Sequence, residues 1–89
     1  MARITMGELE FAEITPGGAM ADVLFELGLM YCIGHDVEQD YVTAHKWFNL
    51  AAMKGNEAAR EYRRELALEM SPADVAEAQR QARAWMTMH

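Results

Sequence analysis

The chain is poor in several things, and each shortage excludes something. It has a single cysteine, Cys32, so no intrachain disulfide can form, and such usage fits a reducing compartment. Two prolines and six glycines leave long stretches free to be helical. Basic residues are in the minority, 8 against 14 acidic, which gives a formal net charge of −6. That balance argues against generic nucleic-acid binding, which needs a basic face toward phosphates. It also argues against docking on an anionic membrane. No stretch approaches the roughly 18–20 apolar residues of a membrane span. The opening MARITMGELEFAEITPGG lacks the apolar run, roughly 7–15 residues long, of a signal peptide. A soluble, cytoplasmic protein with no membrane partner is the expectation.

What is present favours one small all-α domain. The 89 residues are 52% apolar, too many for a disordered chain. A chain of this size buries roughly 60–65% of the surface it exposes when unfolded. Alanine, glutamate, leucine, methionine, glutamine and arginine, the good helix formers, are plentiful.

Residues 1–18 hold partly alternating apolar positions (Ile4, Met6, Leu9, Phe11) with Glu8, Glu10 and Glu13 between them. Gly7 and the run Thr15-Pro16-Gly17-Gly18 favour an irregular or mobile arm there. A first helix is predicted over about 19–33. Ala21, Leu24, Phe25, Gly28, Tyr31 and Cys32 share one face at helical spacing. Its other side carries Asp22 and Glu26 but also Leu29, Met30 and Ile33, so the helix is too apolar to have one neighbour only. Gly28 suits the close approach of a neighbouring helix, and Gly34 suits a left-handed helix end. His35, Asp36 and Val37 make the turn, and Asp40 is placed to cap the next helix.

The second helix, about 41–54, turns Tyr41, Ala44, Trp47, Phe48, Ala51 and Ala52 to the core, and Gly55 stops it. The third, about 56–69, aligns Ala59, Tyr62, Leu66 and Met70. Its remaining surface alternates Arg60, Arg63 and Arg64 with glutamates at salt-bridging spacing. Ser71-Pro72-Ala73-Asp74 reads as N-cap, N1 and a capping-box-like N3. The fourth helix then runs to about 86 with a narrow stripe of Val75, Ala78, Ala82, Trp85 and Met86, suited to close packing on the helix before it.

A shift of 37 residues superposes Gly18 on Gly55, Ala21 on Ala58 and Phe25 on Tyr62, after which the likeness fades. Leu27, Gly28, Tyr31, Gly34, Val37, Asp40, Ala44, Trp47, Ala51, Ala52, Gly55 and Ala58 together resemble the Sel-one-like repeat, a relative of the tetratricopeptide repeat. One departure is Asp36, where the family turn usually has a second glycine. Asp tolerates the left-handed region better than most residues, so the turn is expected to survive. The resemblance implies a tetratricopeptide-like α/α superhelix of about four antiparallel helices. It implies an adaptor or scaffold for protein–protein interaction, not an enzyme, with no catalytic residues and no cofactor to carry over. The expected organisation is an arm over 1–18 and one domain over 19–89. Within it, a full repeat spans about 21–57, and a degenerate half-repeat with a capping helix spans about 58–87.

Several constellations invite chemistry and give way to plainer readings. Cys32, His35 and His45 lack the second Cys pair or HExxH spacing of a metal site. Met86-Thr87-Met88-His89 offers soft ligands but reads better as a frayed end, so no metal is expected. Met30, Met53 and Met70 fall at helical spacing and are expected to pack inside. Ser71, the lone serine, is committed as a cap, which argues against a nucleophile triad. Arg60, Arg63, Arg64, Arg80 and Arg83 form a face where the adjacent glutamates predict a solvated, salt-bridged surface.

The candidate partner surface is the off-core side of the first helix: Asp22, Glu26, Leu29, Met30 and Ile33. A protein or peptide is the expected partner. The alternatives are a homodimer that pairs this surface with itself, or a regulatory subunit that contacts RNA through the arginine face. The N-terminal arm is a further candidate to cover this helix.

Overall fold

The computed structural model describes residues 18–88, all in four helices and their connections, with no strand among them. Helix α1 spans Gly18–Ile33, α2 Tyr41–Met53, α3 Glu57–Ala67 and α4 Pro72–Met88. The expectations for the N-terminal arm lie outside the described residues. The shortest extent of the molecule is 22 Å, which is two layers of helices about 10–12 Å across.

Each helix is delimited by local chemistry that the sequence carries. At the end of α1, Gly34 adopts φ 77° and Asp36 φ 65°, so the aspartate occupies the left-handed region that glycine usually fills. The N–H groups of Gly34 and His35 both donate to the Met30 carbonyl, at 2.8 and 3.0 Å. Asp40 N–H donates to the Tyr31 carbonyl at 2.9 Å, and Gln39 Nε2 to the Cys32 carbonyl at 2.8 Å. The orphan carbonyls of the last turn are thereby satisfied.

Asp40 then caps α2, its Oδ1 accepting from Thr43 N–H at 3.2 Å. Helix α2 ends in a Schellman motif: Asn56 N–H donates to the Ala51 carbonyl and Gly55 N–H to the Ala52 carbonyl, with Gly55 at φ 109°. Asn56 goes on to cap α3 through Ala59 N–H at 2.7 Å. Ser71 Oγ accepts from Asp74 N–H at 3.1 Å to start α4.

Helix α2 is the hub, and every extensive helix–helix contact involves it. Ala44, Phe48, Leu50 and Ala51 are all but inaccessible to solvent. The alanines let neighbouring backbones approach closely, and Phe48 fills the space at the centre. A Cβ on Gly28 would lie 2.5 Å from Phe48 Cε1, so α1 can seat over that ring only with glycine there. Phe25, Phe48 and Tyr62 join α1, α2 and α3 in a three-ring cluster with centroid separations of 5.3–5.8 Å. Trp47 and Trp85 meet edge to face at 5.9 Å and join α2 to α4.

Three features differ from the sequence reading. Helix α4 packs on α2, two helices back, and not extensively on α3. Trp85 finds its ring partner on α2, and Ala78 and Ala82 bury completely or nearly so. Helix α2 also buries more than one stripe, because Leu50 and His45 flank its alanine face and are both buried. Finally, Met53 is 56% exposed and Tyr41 lies on the rim. Met70 packs against the core as expected, and Met30 is half-buried.

Candidate functional site

The outward side of α1 carries the residues singled out from the sequence, and they divide into two kinds. Glu26 and Ile33 face solvent, with Ile33 69% exposed, and Met30 is half-buried beside them. Leu29 instead packs against the core cluster, and Asp22 is half-buried with Oδ1 accepting from Asn56 Nδ2 at 3.1 Å. Asp22 therefore ties α1 to the cap of α3.

Two apolar residues on this side escaped the sequence reading: Val23, 55% exposed, and Met20, 47% exposed. The signal for Val23 was available. Ala19, Val23, Glu26, Met30 and Ile33 follow one another at steps of four and three, a single row along the helix. The exposed row is thus apolar with one acidic residue at its centre.

A second concave feature lies across the molecule's hub. Helices α3 and α4 both rest on α2 with little contact between them, and the space between them forms an open groove of roughly 560 Å³. His45 and Asn49, one turn apart on α2, line it together with Val75 and Gln79, one turn apart on α4. The α3 wall contributes Arg60, Arg63 and Arg64 with Glu61.

The arginines are not equivalent. Arg64 is held by Glu61 at 2.5 Å and approaches Glu65 at 3.8 Å; Arg60 lies 3.8 Å from Glu57. Arg80, elsewhere on α4, is held by Glu77. Arg63 donates from Nη1 to Asn49 Oδ1 at 2.6 Å and has no carboxylate within salt-bridge distance among the described residues.

His45 is only 2% exposed, and its buried Nδ1 has no hydrogen-bond partner. Burial, and secondarily the Arg63 cation, holds its pKa below the ordinary imidazole value. Burial pushes the pKa of the Cys32 thiol up, which favours its protonated form. No three His, Cys, Asp or Glu side chains come together in a metal-binding arrangement among the described residues. None of the described helices is long and apolar enough to cross a membrane.

The repeat-signature residues take structural positions. Ala44 and Ala51 are fully buried, Ala52 nearly so, and Gly34 makes the left-handed end of α1. Residues 21–56 match the family model for the Sel1 repeat, a span from the first buried residue of α1 to the cap of α3. Comparison with curated proteins and with solved structures gives no match. The match over this helix-turn-helix unit, among described residues that form helices and no strand, identifies residues 21–56 as a Sel1-like repeat.

Proposed function

We propose that this chain is a small, non-enzymatic adaptor that holds another protein against the outward face of α1. Sel1 repeats generally mediate protein–protein interaction. The observation that carries the reading for this chain is the exposed apolar row of α1, where Val23 and Ile33 are each more than half exposed beside Met30. Burying such a side chain is worth roughly 1.5–3 kcal/mol, so a few residues suffice for a useful contact. Glu26, set within the row, would favour a partner with a matching cation or amide and disfavour an acidic one.

Substitution of Val23 or Ile33 by Asp tests the reading, because both side chains already face solvent and neither supports the core. The expected outcome is loss of partner capture with unchanged helicity and unfolding midpoint. Capture that survives both substitutions would remove α1 from the proposal. Self-association through the same row is the competing reading. Sedimentation at rising concentration separates them, since the adaptor stays monomeric when alone. The arginine face lends little support to RNA contact: Arg60, Arg64 and Arg80 are all engaged by glutamates on their own helices.

A further inference from the structure

We infer that the groove between α3 and α4 is a second binding site, which takes a carboxylate group of a peptide and holds it on Arg63 over the floor of α2. The site does not include α1, so it stands apart from the adaptor surface proposed above.

Two independent observations meet there. The first is shape: α3 and α4 both rest on α2 with little mutual contact and leave a groove of roughly 560 Å³ that opens to solvent, within the usual range of about 300–1,000 Å³ for ligand sites. The second is an unmatched cation. A guanidinium has five N–H donors, yet Arg63 uses one direction only, toward Asn49. That bond fixes the side chain along the groove floor and leaves the rest of the fork for a planar acceptor.

The charge balance chooses the class of ligand. Three arginines and one glutamate line the groove of a chain whose net charge is −6. With Arg60 and Arg64 engaged by glutamates, Arg63 is the lining cation left to draw an isolated carboxylate. A polyanion is not drawn there, because Glu57, Glu61 and Glu65 hold Arg60 and Arg64 in intrahelical pairs on the α3 wall. Val75 and Ala67 give apolar wall for the methylene groups of an acidic side chain or the last residue of a chain. The shared chemistry is a peptide carboxylate, from a side chain or from a C-terminus.

The test is a titration of the full chain, by fluorescence anisotropy and by NMR, with short labelled peptides. One set is acetylated and amidated with Asp or Glu in the middle. A second has Asn or Gln there but a free C-terminus, and a third has neither carboxylate. Binding of the first or second set, but not the third, is expected, and it identifies the source of the carboxylate. On addition of the peptide, the His45 ring and the Asn49 side-chain amide should shift in the wild-type spectrum. Arg63→Gln should weaken binding about tenfold or more, the size of a lost charge-assisted hydrogen bond. Arg83→Gln, outside the groove, should leave it unchanged. Equal binding of the third set, unshifted His45 and Asn49 signals, or tighter binding of single-stranded RNA lost in Arg63→Gln would each overturn the inference.

Discussion

Gly28 and Phe48 are a matched pair: a Cβ at position 28 would stand 2.5 Å from Cε1 of the Phe48 ring, and that ring is fully buried. Two effects oppose each other in Gly28→Ala. Helix propensity favours Ala by up to about 1 kcal/mol, whereas overpacking a filled core costs about 1–3 kcal/mol. The ring is also held by Phe25 and Tyr62, so it cannot swing aside cheaply. Packing should win. Gly28→Ala is expected to lower the unfolding midpoint by several degrees, and the loss should shrink when Phe48→Leu is added.

Asp36 offers a backbone test of the repeat turn. It holds φ 65° with only an exposed His35 contact beside it. Asp36→Gly should be neutral or slightly stabilising. Asp36→Val should cost about 1–2 kcal/mol, since a β-branched residue tolerates the left-handed region poorly. Urea unfolding of the two variants measures the difference directly.

Asn56 links three elements. It closes the end of α2, caps α3 and donates to Asp22 of α1. Asn56→Ala should cost about 1–2 kcal/mol, in line with a lost N-cap. Asp22→Ala should cost less, with non-additive coupling between the two in a double-mutant cycle. Asp22 is accordingly a poor probe of partner binding, because its loss loosens the fold as well.

His45 sets a pH dependence. Burial first, and the Arg63 cation second, lowers its folded pKa below the ordinary value of 6.5. The unfolded chain therefore takes up the proton first as pH falls. Stability from the neutral imidazole is fully present above about pH 6.5 and is lost as pH drops from there through the folded pKa. His45→Leu should flatten this part of the stability curve. Glu77 acts in a separate, more acidic window. Its hydrogen bonds to Arg80 and then Gln81 hold it at about 2, below its ordinary 4.5, so its contribution persists above 4.5 and fades toward 2.

The helices and their ends were readable because their signals are local. Gly34, Asp40, Gly55 and Ser71 each act within a few residues, and each holds its expected place. The partners of each face were harder to read. Periodicity says which residues share a side of a helix, not how many sides another helix covers. Helix α2 is covered on more than one side, which is why His45 and Leu50 are buried beyond the Ala44–Phe48–Ala51 stripe. The same limit hid the choice of α4, whose small residues fit α2 as well as α3 until Trp85 finds Trp47. At the candidate surface, Ile33 and Glu26 were legible as outward residues. Leu29 was not legible as a core contact, because a half-buried leucine looks identical in sequence to an exposed one.

The adaptor reading rests on what meets the outward row of α1. Site-specific photo-crosslinking in the producing cell, from position 33 and in parallel from position 84 on α4, tests it most directly. A discrete adduct with a different polypeptide from position 33, and none from position 84, is the predicted result. An adduct only with a second copy of this chain, or no adduct from position 33, would contradict it.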